Sequence, residues 1–262
     1  MAKEEKFTFL SADGKTTIHA VRWIPEDGNY EAILQITHGM IEFVERYRPF
    51  ADFLTKNAFM VVGHDHLGHG DSVASRENWG YFAENPSDTV IADMHALRTM
   101  IQKENPGVPY FMMGHSMGSY MLRKYLTIHN DDLRGAIIMG TGCVPDNTTK
   151  LGINVCKFLA KIFGWHHRSK LVESLSFGGP YKKYDLSGKT LSNSWLTKDE
   201  DIVKAANQAD RKKKIAKLQT SSPELYNEFI QACNNITNQS SFVKNSGRFP
   251  LTAVGKLELS SL

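Results

Sequence analysis

No histidine follows His167 in this chain of 262 residues, and this absence limits the chemistry of roughly its last third. When a side chain acts as a general base in an enzyme, it is most often a histidine. The C-terminal segment therefore offers no imidazole as a base or as a metal ligand.

Cysteine is scarce as well. Cys143, Cys156 and Cys233 are widely spaced, form no C-x-x-C motif, and make an odd count that cannot pair completely within one chain. The first residues include acids and lead into no apolar run, so we expect no secretory signal. No stretch reaches the roughly 18 to 20 apolar residues of a membrane span. These absences predict a soluble, cytoplasmic protein.

The chain also lacks a large excess of positive or negative charge. The formal net charge is only +3, with 23% charged and 41% apolar residues. This balance gives no electrostatic reason to expect a nucleic-acid partner. The length suits one large domain, or a core with an insertion, and allows a sizeable buried core.

The stretch from Tyr110 to Ser119 carries the clearest chemical signal. An apolar run ends in the G-x-S-x-G motif Gly114-His115-Ser116-Met117-Gly118, and a helical pattern follows. A strand, a sharp turn and a helix with Ser116 at the apex would project its hydroxyl beside backbone amides. The amide of Met117 would also gain from the helix dipole. The motif predicts a nucleophilic serine, and a plain tight turn is the alternative.

Strands and helices alternate before and after this motif. Two alternating stretches joined at Asp13-Gly14 predict an antiparallel hairpin. Apolar runs at 32–37 and 59–63 predict buried strands of a parallel sheet, the run at 135–139 predicts a further strand, and Ser87 is expected to cap a helix.

This alternation predicts an α/β fold with a mostly parallel sheet and helices on both faces. In such folds ligands bind beyond the carboxyl ends of the strands. Ser116, Met40 and the loop 64–72 are all expected at that edge of the sheet.

The loop after the strand at 59–63 contains His64, His66 and His69. Their spacing is similar to the H-x-H-x-D-H pattern of binuclear zinc hydrolases, but Gly68 stands where that pattern needs an aspartate. We therefore favour a structural role, in which Asp65, His66 and the glycines organise a tight turn. A metal site is the alternative.

Taken in order, these motifs resemble those of α/β-hydrolases of the monoacylglycerol lipase and lysophospholipase type. The family shares H-G-x-x-E, D-H-x-G-H-G-x-S and G-H-S-M-G, which begin here at His38, Asp65 and Gly114. The stretch from Trp195 to Asp199 also resembles the end of the family's lid. The resemblance runs from about residue 7 to about residue 204 and implies the α/β-hydrolase fold with an inserted lid.

The resemblance implies roles for three residues. Ser116 is the expected nucleophile, and the backbone amides of Met40 and Met117 are the expected oxyanion hole. The implied reaction is hydrolysis of small acyl esters, such as monoacylglycerols or lysophospholipids, through a serine acyl-enzyme without a cofactor or metal. A peptidase activity on the same fold is an alternative.

We predict three segments: residues 1–144 as the N-terminal part of the hydrolase core, 145–204 as the lid, and 205–262 as an atypical tail in place of the last core strands and helices. The lid begins with a helical pattern that has lysines 157 and 161 on one side and apolar residues on the other: Leu151, Val155, Phe158, Leu159, Ile162 and Phe163. We favour packing of this apolar side on the core. Peripheral contact with a membrane is the alternative.

The tail departs from the family. In this fold the acid and the histidine of the triad follow the nucleophile, but neither is found there, so both stay unassigned. Beyond about Ala205 the chain is basic and rich in Asn and Ser, with a helix expected from Ser222 and a strand at 254–259. A damaged reading frame, a substitute base, or a true loss that leaves a catalytically silent acyl-ligand or partner-binding protein would each explain this.

Overall fold

The computed structural model describes most of the first 177 residues and a few positions beyond them: 2–40, 42–82, 86–142, 146–177, 183, 184, 190, 199–201 and 204. The expected lid end at Trp195, the helix from Ser222 and the strand at 254–259 lie outside the described residues.

Within the described residues, a six-stranded sheet forms the centre of the fold. Its strands lie side by side in the order β1-β2-β4-β3-β5-β6. The first three neighbours pair antiparallel, and β4, β3, β5 and β6 pair in parallel. The predicted hairpin and mostly parallel sheet are therefore confirmed. The strand bounds are β1 Lys3–Leu10, β2 Thr17–Ile24, β3 Ala32–Thr37, β4 Phe59–His64, β5 Tyr110–His115 and β6 Leu133–Met139.

Five α-helices follow or separate these strands in the described chain: α1 Arg48–Thr55, α2 Pro86–Glu104, α3 Met117–Ile128, α4 Asp146–Phe163 and α5 Lys170–Phe177. A 3-10 turn, Val44–Tyr47, leads into α1. The expected cap at Ser87 is wrong, because Pro86 already opens α2 and its missing N–H suits the first turn. Ser87 Oγ instead accepts a hydrogen bond from Lys124 Nζ of α3.

The central strands are buried on both faces because helices cover each side. On one face Ile33 of β3 packs with residues of α2 and α3, including Met94 and Leu122. On the other face Leu34 packs with Ala51 of α1. All six residues of β3 are buried, as expected of a strand between two helical layers.

Helices α4 and α5 lie in the segment predicted to be the lid and contact each other through Cys156 and Val172. The expectation that the apolar side of α4 packs on the core is wrong. Leu151 and Phe158 are each 63% exposed and Ile162 is 56% exposed, whereas the buried positions carry the small residues Thr149, Cys156 and Ala160.

Lys157 and Lys161 are exposed as well. At about 100° per residue along a helix, both lysines lie on the same side of the exposed stripe Leu151, Phe158 and Ile162, about 80 to 120° around the helix from it. Among the helices of the described residues, none has both the length and the apolar character that a transmembrane span requires.

Candidate active site

Ser116 lies at the sharp turn between β5 and α3 with φ of 51° and ψ of −119°. A positive φ is strained for a residue with a β-carbon and needs support from its surroundings. Backbone hydrogen bonds supply it: Ser116 N donates to Met139 O at 2.9 Å and Ser119 N donates to Ser116 O at 2.9 Å. The sequence motif thus forms the strand–turn–helix shape expected of a nucleophile elbow.

The two glycines of the motif allow backbones to approach closely. A β-carbon on Gly114 would lie 2.4 Å from the carbonyl oxygen of Gly118, and one on Gly118 would lie 2.0 Å from the carbonyl oxygen of Thr37. Real β-carbons do not reach such distances, so any larger residue would push α3 away from β3 and β5. The glycines are required by packing around Ser116.

The loop after β3 reaches the same point. A β-carbon on Gly39 would lie 3.2 Å from the Ser116 β-carbon. The partly buried side chain of Met40 packs in one cluster with Met117. The structure therefore brings Ser116, Met40 and Met117 together at the carboxyl edge of β3 and β5, where β3 and β5 pair in parallel. The oxyanion-binding role of the two amides stays a prediction.

Glu42 connects this loop to the elbow. Its Oε2 accepts hydrogen bonds from Gly39 N at 2.7 Å and Tyr47 Oη at 2.8 Å, and it lies 3.2 Å from His115 Nδ1. Burial alone would raise the pKa of this carboxyl, but the hydrogen bond from His115 and the nearby charge of Arg46 lower it to about 2. Glu42 is therefore an ionised carboxylate close to Ser116.

His38 holds the loop from the other side. Its Nδ1 is 2.7 Å from Gly39 O, and His66 N donates to its Nε2 at 3.0 Å. Because Nε2 accepts a hydrogen bond, the ring proton must lie on Nδ1 and is donated to Gly39 O. Burial, with repulsion from His69, lowers the pKa of His38 to about 3, so the ring is neutral.

The histidine-rich loop is built into the core. Asp65 organises it, since Oδ1 accepts from Val44 N at 2.7 Å and Oδ2 accepts from Asp71 N at 2.8 Å. His64, His66 and His69 are fully buried. Burial lowers the pKa of His64 and His69 to about 4 and that of His66 well below its ordinary value. This arrangement supports the structural role that we favoured for the loop.

A different trio has the geometry closest to a cation site among the described residues. Ligand atoms of His19, Glu45 and Asp65 lie within 4.8 Å of one another. Glu45 Oε1 is already paired with Lys6 Nζ at 3.0 Å and with His19 Nε2 at 3.1 Å. Both Asp65 oxygens accept backbone hydrogen bonds. We therefore assign these donors to a structural ion-pair network.

The acid and base of a triad stay unassigned. No described histidine forms a hydrogen bond with Ser116 Oγ, and the nearest in sequence, His115, bonds Glu42 instead. A cavity of about 410 Å³ between the β1–β2 turn and the loop after β4 includes Thr16, Ser72 and Tyr81 in its lining but not Ser116. Ser116 thus does not line the described cavity.

The Glu42 and His38 contacts were not predicted from the sequence. The H-G-x-x-E motif was the only sequence signal for them: its first residue, His38, contacts Gly39 O, and its last residue, Glu42, accepts from Gly39 N. The motif indicated a family, but its spacing does not say that the two side chains hold the backbone of the glycine between them.

The family described as serine aminopeptidase, S33, matches residues 28–250 of this chain. Among curated proteins, the chain is 32% identical to a monoglyceride lipase of Rattus norvegicus over 109 residues, which cover 42% of this chain and 34% of that protein. It is 33% identical to a Homo sapiens monoglyceride lipase over 116 residues, with the same coverage of 42% and 34%. The matched region thus spans about a third of the length of these relatives.

Solved structures share the fold over more of the chain. A carboxyl esterase from Bacillus coagulans superposes with a TM-score of 0.74 and 29% identity, covering 90% of this chain and 74% of that one. A soluble variant of monoglyceride lipase from Saccharomyces cerevisiae has a TM-score of 0.61 and 18% identity, covering 92% and 72%. At that identity the second likeness shows the fold alone.

Proposed function

Since the chain belongs to the serine aminopeptidase S33 family, as an α/β-hydrolase of the monoacylglycerol lipase type, we propose that it hydrolyses carboxylic esters of acyl chains through Ser116. The observation that carries the proposal is the positive φ of Ser116 at the β5–α3 turn, with the Gly39 loop against its β-carbon. The names of the curated relatives favour monoacylglycerols as substrates. Lysophospholipids are the second substrate class that the motifs imply.

In the proposed reaction Ser116 Oγ attacks the ester carbonyl carbon and loses its proton to a base. The carbonyl oxygen becomes an oxyanion, which the amides of Met40 and Met117 stabilise by hydrogen bonds. Collapse expels the alcohol, which takes up a proton, and leaves an acyl-enzyme. Water then attacks the acyl carbonyl, releasing the fatty acid and restoring Ser116.

The alternative is a catalytically silent protein that binds an acyl ligand or a protein partner in the same fold. It is favoured by one observation, the absence of any histidine after His167, where this fold places its base. Without a base the serine hydroxyl is a poor nucleophile at neutral pH. In the proposal of an active enzyme the base that activates Ser116 stays unassigned.

The two proposals are separated by comparing the chain with Ser116→Ala. We expect labelling by a fluorophosphonate probe and turnover of p-nitrophenyl butyrate and 2-monooleoylglycerol, both lost in the variant. An aminoacyl p-nitroanilide, tested in parallel, measures peptidase activity. Equal background rates for both proteins on every substrate would sink the enzyme proposal and leave the binding protein, for which retained acyl-ligand affinity is the expected result.

We also propose the segment division 1–144, 145–204 and 205–262 for core, lid and tail, a cytoplasmic location, and peripheral membrane contact through α4. The exposed stripe Leu151, Phe158 and Ile162 supports the membrane contact, because exposed apolar side chains with lysines along one side suit an anionic lipid surface. The lysines are Lys157 and Lys161.

Vesicle sedimentation tests the lid contact. We expect binding to vesicles containing a third phosphatidylserine that weakens about tenfold in Phe158→Ser. Ile128→Ser is the matched control. Ile128 is also exposed, at 52%, but it lies at the C-terminal end of α3, outside the proposed lid. Equal binding of the two variants would contradict a lid contact.

A further inference from the structure

Side chains hold both backbone polar groups of Gly39. Its N–H donates to Glu42 Oε2 at 2.7 Å, and its carbonyl oxygen accepts from His38 Nδ1 at 2.7 Å. The first contact spans three residues, so it closes the chain around Met40. In a surface loop, backbone N–H and C=O groups ordinarily bond to water or to other backbone groups. The two side-chain hydrogen bonds therefore restrict the backbone conformation at Gly39.

The contact from His38 also fixes the direction of the Met40 amide. The Gly39 carbonyl and the Met40 N–H belong to one peptide unit, and in a trans peptide they point in opposite directions. Anchoring the carbonyl on the imidazole therefore turns the N–H away from His38. The imidazole is itself fixed, since it is fully buried and accepts a hydrogen bond from His66 N at 3.0 Å.

Glu42 carries the restraint to the nucleophile. The same oxygen that accepts from Gly39 lies 3.2 Å from Nδ1 of His115, the residue before Ser116. Tyr47 Oη donates to it at 2.8 Å, and Arg46 lies 3.2 Å from its other oxygen. The carboxylate thus joins the loop after β3 to the end of β5, and its position is set by contacts outside either segment.

We propose that Glu42 and His38 are positioning residues that clamp Gly39 from its two sides and aim the Met40 amide at the oxyanion formed on Ser116. This rests on the proposed function, because the oxyanion exists only if Ser116 attacks a carbonyl. The narrow space between Ser116 and Glu42 also explains why residue 39 is a glycine. A β-carbon there would lie 2.9 Å from Glu42 Oε2 and 3.2 Å from the Ser116 β-carbon.

The kinetic test uses Glu42→Ala and Glu42→Gln, with Glu31→Ala as the matched control. Glu31 is an exposed glutamate just before β3. Because the clamp acts on the transition state, Glu42→Ala should lower kcat about 10- to 100-fold and leave KM within about threefold. Glu42→Gln keeps a carbonyl acceptor for Gly39 N and should recover part of the loss. Glu31→Ala should match the unaltered chain.

His38 is tested by a pair of variants. His38→Asn keeps a side-chain N–H near the position of Nδ1, whereas His38→Leu removes it. We expect the asparagine to retain several times more kcat than the leucine at similar KM. Circular dichroism of each variant checks folding, and if His38→Leu does not fold, the comparison of His38→Asn with the unaltered chain and the Glu42 series decide.

A second readout does not depend on turnover. Amide hydrogen exchange at Gly39 and Met40, measured by NMR, should accelerate about tenfold or more in Glu42→Ala but not in Ser116→Ala or Glu31→Ala. If the unaltered chain shows no Ser116-dependent turnover, the proposed function fails and this measurement alone judges the clamp. Unchanged exchange in Glu42→Ala overturns the clamp, and so does an unchanged kcat in an active chain.

Discussion

The edge of the sheet that carries Ser116 and helix α4 use their residues in opposite ways. At the edge, backbones approach so closely that Gly114 and Gly118 leave no room for a β-carbon. In α4, small residues such as Cys156 and Ala160 face inward, whereas Phe158 and Ile162 are exposed. Close packing determines which residues can stand at the edge of the sheet. On the outer face of α4, the large apolar side chains contribute little to packing.

This difference separates two kinds of constraint. A residue that fills a required space or supplies a required hydrogen bond cannot change without altering the fold. An exposed apolar side chain contributes little to folding, so its presence in a contiguous stripe indicates a contact with another surface. Mutations at the two places should therefore differ in what they damage.

The largest effect is expected for Gly118→Ala. Its β-carbon would lie 2.0 Å from Thr37 O and 2.5 Å from His38 O, both backbone atoms that cannot turn aside. We expect a loss of about 3 kcal/mol in the free energy of unfolding and at least a 100-fold loss of any Ser116-dependent turnover. Urea unfolding and ester hydrolysis measure the two effects.

Gly135→Ala is the control for this change. Its β-carbon would meet only the Phe111 ring, at 3.2 Å, and a side chain can shift. The expected cost is below about 1 kcal/mol, with turnover retained. Comparable losses in both variants would mean that the edge is no more tightly constrained than the rest of the sheet.

The sequence predicted the edge better than the lid, for a physical reason. The G-x-S-x-G motif and the apolar runs report local conformation and burial on both faces, so β3, β5 and the turn at Ser116 were predictable. Periodicity in α4 correctly gave a helix with one apolar side, but it does not reveal which side the core covers. The contacts of Glu42 with Gly39 and His115 depend on tertiary proximity, which spacing along the chain does not contain.

A second prediction concerns acid stability of the edge. Four fully buried rings have a folded pKa below the ordinary 6.5: His38, His64, His66 and His69. Their stabilising effect is complete above about pH 6.5 and is lost as the pH falls toward 4, because the unfolded chain binds the protons.

Two buried acids act in the opposite direction. Burial raises the pKa of Asp65 and Asp93 to about 6, so the folded chain binds their protons first and gains stability as the pH falls toward 4. From these six groups, four histidines against two acids leave about two protons, or roughly 2 to 3 kcal/mol per pH unit lost between pH 6 and 4.5. Urea unfolding at several pH values measures this slope.

His64→Leu isolates one of these rings. Neither ring nitrogen of His64 has a hydrogen-bond partner among the described residues, so the change removes a titrating group without breaking a described bond. The slope should fall by about 1 kcal/mol per pH unit. Phe9→Leu, beside His64 at 5.9 Å between ring centroids, should lower stability equally at each pH. An unchanged slope in His64→Leu would show that this ring is already protonated in the folded chain.

The smallest effect is expected for Phe158 on the outer face of α4, compared with Cys156 on its inner face. Cys156→Ser places a hydroxyl in the buried contact between α4 and α5 and should cost about 1 to 2 kcal/mol. Phe158→Ser, at a position 63% exposed, should change stability by less than about 0.5 kcal/mol. Hydrogen exchange of peptides from 146–177 measures both, with roughly tenfold faster exchange expected only for Cys156→Ser. If Phe158→Ser opens the helix equally, the stripe is a packed surface and the contrast between lid and edge disappears.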